Sequence, residues 1–149
     1  MAIDPALQPY VHLMETVIPF NRFLNMKVER LERGLCVIRL PFADHLIGDP
    51  SRPALHGGVS ATLLDTVGGA ACFSRFESFD DTCSTVDLRV DYLRPGPSSD
   101  LWAVGRVLRM GRRMAWARMA VYGGALPEDG GPDEPFATAQ GVYNLVRRG

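Results

Sequence analysis

The chain has 149 residues, 46% of them apolar and 22% charged, with 16 basic and 17 acidic side chains. That is the composition of a single globular domain over residues 1–149, large enough to bury about two-thirds of the surface its unfolded chain exposes. A formal net charge of −1 excludes the bulk basic field that nucleic acid or an anionic membrane would select, so an anionic ligand must be held by local cations. The three cysteines, Cys36, Cys72 and Cys83, have neither disulfide-framework nor metal-ligand spacing, and structural zinc is not expected. The opening MAIDPALQPYVHLMETVIPF lacks a basic start followed by an unbroken apolar run. Neither a signal peptide nor a membrane span is expected, and a cytoplasmic location is the default.

In chain order, residues 1–18 form an N-terminal helical segment, with a short helix from about Pro5 to Val17 that stops before Pro19. Met26–Leu31 and Leu35–Leu40 read as a hairpin turning near Arg33-Gly34. A loop rich in Gly, Pro and Asp follows from Pro41 to Pro53. It leads into LHGGVSATLLDTVGGAAC, Leu55 to Cys72, a helical pattern that should end near Phe76.

At about 100° per residue, Val59, Leu63, Leu64, Val67, Ala70 and Ala71 gather on one side of this helix and should seek a core. Asp65 falls opposite them, beside Gly58, Ala61, Thr62, Gly69 and Cys72. That second face lacks the Lys, Glu and Arg of a solvated surface, and its small residues allow another body to come close. An acid in that setting, downstream of a His-Gly-Gly turn, is a candidate site as readily as a plain exposed side chain.

Beyond the helix the period changes to two. In Ser84–Tyr92, Val86, Leu88, Val90 and Tyr92 point one way, and Thr85, Asp87, Arg89 and Asp91 the other. Pro95-Gly96-Pro97 closes this strand, and Leu101–Met110, Arg112–Tyr122 and Phe136–Val146 supply three more, with a loop from Gly123 to Pro135 before the last. A run of strands after a helix, without βαβ alternation, indicates an α+β domain with an antiparallel sheet packed on the long helix. The uncovered small-residue face leaves room for a partner, and a homodimer is the simplest one.

HGGVSATLLD, with an acid nine residues after the His of the His-Gly-Gly, resembles the hotdog-fold acyl-CoA thioesterases of the PaaI type. The similarity runs from about Pro19 to Val146 and includes STVDLRVDYLRPG as the strand and turn after the helix. The resemblance implies an antiparallel sheet wrapped around a central helix, and hydrolysis of acyl-CoA without a cofactor. By the same resemblance, the backbone N–H of Gly58 polarises the thioester carbonyl, and Asp65 acts as nucleophile or as general base for water. The physics of a helix start agrees, because its first N–H groups lack intrahelical acceptors and face developing negative charge. His56 either contacts substrate or locks the turn by hydrogen bonding, and Thr85 either positions water or is a plain strand residue.

Gly58 and Asp65 are seven residues apart, so they stand about 10 Å apart along one helix. One chain cannot bring both to the same carbonyl carbon, whereas a two-fold homodimer can, and the resemblance further implies assembly into a homotetramer. Many relatives carry Asn or Gln six residues before the motif His, and Pro50 stands there in this chain. Asp49 or Ser51, with Gly57, become the substitute substrate contacts. Arg94, Arg112 and Arg113 are the candidate cations for coenzyme A phosphates, and Phe20, Phe23 and Leu24 are candidates to line an acyl tunnel.

Two other functions compete. A hotdog hydratase or dehydratase would want a tighter Asp-x-Asn-Pro-x-His run, whereas here the Asn is absent and Asp49 lies seven residues from His56. A non-catalytic acyl-CoA binding module on the same fold would not need the acid at Asp65.

Overall fold

A computed structural model describes residues 2–148. The N-terminal segment is helical from Pro5 to Val17, though not as one α-helix: a 3-10 turn at Pro5–Leu7 passes into α1 (Gln8–His12) and then a π turn at Leu13–Val17. Pro9 is the cause at the first junction, because it has no N–H to continue the ladder, and the Pro5 carbonyl accepts from Gln8 instead. Pro19, expected only to end this segment, also starts a second short helix, α2 (Pro19–Phe23), where a missing N–H costs nothing.

The expected hairpin forms from β1 (Lys27–Glu32) and β2 (Leu35–Leu40), with Gly34 at φ 84°, a left-handed turn conformation that side-chain-bearing residues resist. The loop from 41 to 53 has more structure than its composition suggested. It holds a 3-10 turn at Asp44–Leu46 and a short strand, β3 (Ile47–Asp49), which pairs with β4 (Ala54–Leu55) just before the long helix. That helix, α3, spans Gly57–Phe73 and ends three residues before the expected Phe76, where the Ser74 hydroxyl donates to the Ala71 carbonyl and accepts from the Gly34 N–H.

Four long strands follow: β5 (Thr82–Tyr92), β6 (Leu101–Met110), β7 (Met114–Gly123) and β8 (Ala137–Val146). With β1 and β2 they make one antiparallel sheet in the order β1-β2-β6-β7-β8-β5. The α+β architecture expected from the strand run is therefore present, with α3 lying across β2, β6, β7, β8 and β5. Arg112 and Arg113 sit in the turn before β7 rather than in the strand.

Helix and sheet come close because the sheet side is built from small residues. Ala103, Ala115, Ala117 and Ala139 are buried beneath Leu63, Leu64, Val67, Ala70 and Ala71 of α3. A Cβ on Gly105 of β6 would lie 2.5 Å from the Val67 carbonyl oxygen, so only glycine fits there. Each buried Leu or Val of this face contributes about 1.5–3 kcal/mol relative to exposure. Leu7, Tyr10, Val11 and Met14 of the N-terminal segment join the same core. Cys72, expected beside Asp65 on the small-residue face, is instead fully buried. It is covered by β5, where its thiol meets Cys83.

β5 departs from simple alternation. Thr85 pairs with Tyr143 and Asp87 with Val142, so Val86 is an extra residue in a β-bulge and stands 59% exposed rather than facing the core. The bulge resets the phase. Leu88 and Val90 pack against the core as expected, while Cys83 and Thr85, on the other side of the bulge, also turn toward the helix. Among the described residues no helix is long and apolar enough to cross a membrane.

Candidate active site

The His-Gly-Gly turn is the start of α3, with His56 as its N-cap in an extended conformation. Its Nδ1 accepts from the Gly58 N–H at 2.9 Å, and its carbonyl accepts from the Val59 N–H at 2.9 Å. His56 thus does the work usually given to a Ser or Asp cap, satisfying two of the orphan donors of the first turn. The Gly58 N–H, expected to be the carbonyl-polarising donor, is already committed to this cap. The first donor, the Gly57 N–H, has no acceptor among the described residues. Gly57 also lines a cavity of about 330 Å³ together with Asp49, Arg52, His56, Ser60, Tyr92 and Arg94. Tyr92, at the end of β5, fixes the turn by donating to the Gly57 carbonyl at 2.6 Å.

The substitutes for the missing Asn or Gln are occupied with each other. Asp49 Oδ1 accepts from the Ser51 hydroxyl at 2.6 Å and from its N–H at 3.0 Å, and Oδ2 accepts from Arg52 Nε at 2.9 Å. These donors hold the Asp49 carboxyl at about 2, well below the usual range, with the Ser51 hydroxyl the main cause and Arg52 the next. Pro50 sits inside this closed turn.

Two turns further along α3, Asp65 is half-buried and its carboxylate is held on one side only. Oδ1 accepts from the Thr85 hydroxyl at 2.8 Å and from the Tyr143 hydroxyl at 3.3 Å, while Oδ2 has no partner among the described residues. The Tyr143 hydroxyl also donates to the Asp65 carbonyl at 3.0 Å. Thr85 reaches the helix because of the Val86 bulge, which settles its place on the helix side rather than on the outer polar face. Burial pushes the Tyr143 phenol well above its usual range, the Asp65 charge adds to the shift, and nearby Cys72 and Cys83 contribute less. The phenol therefore stays a donor.

The candidate arginines do not meet within one chain. Arg94 stands at the α3 start and is partly engaged, donating to Glu134 at 3.0 Å and to the Pro135 carbonyl at 3.1 Å. Arg112 and Arg113 lie at the far end of the sheet, where the Arg113 carbonyl accepts from Leu145 near the end of β8. Of the candidate acyl-tunnel residues, Leu24 is buried in the core, whereas Phe20 and Phe23 are 54% and 70% exposed, with Phe23 beside His45. Among the described residues no group of three or more His, Cys, Asp or Glu is placed to hold a metal ion.

Three residues of the site were not singled out from sequence. Arg52 and Tyr92 line the cavity at the helix start, and Tyr143 holds Asp65. Tyr143 did leave a signal, because it shares the inward face of β8 with Ala139 and Gly141, and a tyrosine hydroxyl carried inward must find a partner.

Comparison with known proteins gives a consistent result. A family profile described as the thioesterase superfamily matches residues 53–125, which include the His-Gly-Gly turn, Asp65 and Thr85. The medium/long-chain acyl-CoA thioesterase YigI of Escherichia coli is 34% identical over 117 residues, 70% of this chain and 76% of that one. A solved structure from Shewanella oneidensis, described as related to the thioesterase superfamily, is 29% identical with a TM-score of 0.80, covering 93% of this chain and 94% of that one. A thioesterase family protein from Silicibacter pomeroyi shares the fold at 22% identity, with a TM-score of 0.82 over 96% of this chain and 98% of that one.

Proposed function

The chain belongs to the thioesterase superfamily, and we propose that it hydrolyses acyl-CoA to a free carboxylic acid and coenzyme A, with Asp65 as the reacting carboxylate. The observation that carries this reading is the Asp65 carboxylate itself, held through Oδ1 by Thr85 and Tyr143 with Oδ2 unpartnered, on a helix whose first N–H is also free.

The chemistry needs a polarised carbonyl and an oxygen nucleophile. The Gly57 N–H, at the positive end of α3 and lining the cavity, donates to the thioester oxygen as negative charge develops there. Water attacks the carbonyl carbon while Asp65 takes its proton, the C–S bond breaks, and the thiolate of coenzyme A leaves and is protonated. In the alternative route Asp65 Oδ2 attacks directly, expels the thiolate and forms a mixed anhydride that water then cleaves. Label in Asp65 after a single turnover in ¹⁸O-water identifies the anhydride route, with water attacking the Asp65 carbonyl of the anhydride.

Gly57 and Asp65 of one chain are eight residues apart on the same helix, about 12 Å along its axis. They serve one substrate only if they come from different subunits of a homodimer. Two features support that assembly. β5 is an edge strand of eleven residues, and beside it lie the half-buried small positions Ala61, Thr62 and Gly69 of α3. Antiparallel pairing of two β5 edges sets the start of one strand against the end of the other. It brings Arg112 and Arg113 of a second copy to the level of Arg94 and Arg52, as a divided site for the coenzyme A phosphates. YigI is named for medium and long acyl chains, and the exposed Val17, Phe20 and Phe23 around α2 support an aliphatic acyl group here too.

The test is thiol release from a panel of aliphatic and aryl acyl-CoAs by the wild type and by Asp65→Asn, with sedimentation of both proteins. Hydrolysis by a dimeric wild type that collapses in a dimeric Asp65→Asn supports the reading. Binding of acyl-CoA without thiol release by the wild type overturns it in favour of a binding module.

A further inference from the structure

The two oxygens of Asp65 are unequal: Oδ1 accepts from Thr85 at 2.8 Å and, from deeper in the fold, from Tyr143 at 3.3 Å, a residue that no part of the His-Gly-Gly motif contains. Tyr143 is 1% exposed and its ring is seated between two glycines. A Cβ on Gly68 of α3 would stand 2.4 Å from its hydroxyl, and one on Gly141 of β8 would stand 2.7 Å from its ring. The slot leaves the phenol no other place to go. A phenylalanine would fill the same slot, so what distinguishes tyrosine is the hydroxyl, aimed at the carbonyl and the carboxylate of one residue, at 3.0 and 3.3 Å.

Resting on the assignment of Asp65 to the chemistry, we infer that Tyr143 is a positioning residue. With Thr85 it anchors Asp65 through Oδ1 and thereby selects Oδ2 as the oxygen that meets water or substrate. The single proton of the Tyr143 hydroxyl is shared between the Asp65 carbonyl, the nearer acceptor at 3.0 Å, and Oδ1 at 3.3 Å, so one bifurcated contact ties the Asp65 side chain to its own backbone and restrains its torsion. Thr85, the cross-strand neighbour of Tyr143, supplies the second grip from β5 on the same oxygen.

A tyrosine kept only for packing and for the Asp65 carbonyl would affect melting but not the course of the reaction. The experiment compares Tyr143→Phe, Thr85→Val, the double variant and Asp65→Asn, on the acyl-CoA that the wild type turns over fastest. Tyr143→Phe is expected to lower kcat about ten-fold with KM nearly unchanged, as befits a lost hydrogen bond to a charged group. The double variant falls by less than the product of the two singles, since both act on one oxygen. Wild-type kcat in Tyr143→Phe, with Asp65→Asn inactive, overturns the inference and leaves the Asp65 assignment standing. Activity retained in Asp65→Asn overturns both. If Tyr143→Phe does not fold, the ring-carbon NMR shift of Tyr143 is read in the wild type and in Asp65→Ala, which keeps the carbonyl of residue 65 and has no side-chain oxygen. A displaced resonance supports the grip, and an unmoved one sinks it.

Discussion

The start of α3 and its middle satisfy their polar groups in opposite ways. At the start, most side-chain partners come from the neighbouring sequence: Gly58 to His56, Ser51 and Arg52 to Asp49, each two or three residues apart, with Tyr92 reaching the Gly57 carbonyl from β5. In the middle, Asp65 is held by residues 20 and 78 positions away. The first arrangement is a property of a short peptide and survives wherever that peptide forms a helix start. The second exists only when the sheet has closed in the right register, so the mid-helix carboxylate reports on the whole fold, whereas the His56 cap and the Asp49 turn report on their own short segments.

That contrast can be tested in steps of falling effect. Asp65→Asn should cost at least about 100-fold in kcat/KM while leaving the melting temperature nearly unchanged, because an amide keeps an oxygen for Thr85 and Tyr143 but cannot take a proton. Thiol release and a thermal melt on the same preparation check both halves. Thr85→Val should cost about ten-fold, again with little loss of stability, and Thr85→Ser should restore most of it because the hydroxyl returns to the same distance. Equal rates in the Val and Ser variants would remove Thr85 from the site.

At the helix start the main loss moves to stability. His56→Ala removes the cap of the Gly58 N–H and should cost about 1 kcal/mol, lowering the melting temperature by roughly 2–4 °C. The smallest effect belongs to the exposed Asp49 turn. Asp49 titrates at about 2, below its unfolded value, so its contribution is present above the unfolded pKa and is lost as pH falls through the folded one. Asp49→Asn should therefore melt slightly below wild type at neutral pH, with the gap closing between about pH 4 and 2. A gap that widens on acidification would show that the turn stabilises through something other than the charged carboxylate.

The same division explains what the sequence discloses. The hairpin at Arg33-Gly34, the core face of α3, the four later strands and the Asp65 position are each written in a local period or turn signal. The Val86 bulge is not, since an extra strand residue leaves the alternation plausible on both sides of it while reversing Thr85 between them. Register is likewise silent in one chain's letters, so Tyr143 reads as one more inward strand residue until β8 lies across from β5. The commitment of the Gly58 N–H to His56 was open to the eye, because a histidine at an N-cap can accept as well as act. The segment from 41 to 53 hid β3 for a simpler reason: a strand of three residues has no period to detect.

The absent side chain at Gly105 sets a boundary on how this protein can change by descent. With the Val67 carbonyl only 2.5 Å from where a Cβ would stand, α3 is pinned to β6 and cannot slide to suit a bulkier substrate. On the proposed function, variation in what the enzyme accepts is expected on parts not bound by that contact, the Pro19–Phe23 helix with its exposed phenylalanines and the segment from 41 to 53. Mutational drift there can explore new acyl groups while the Asp65 cluster keeps its geometry, so specificity and chemistry are inherited separately on this scaffold.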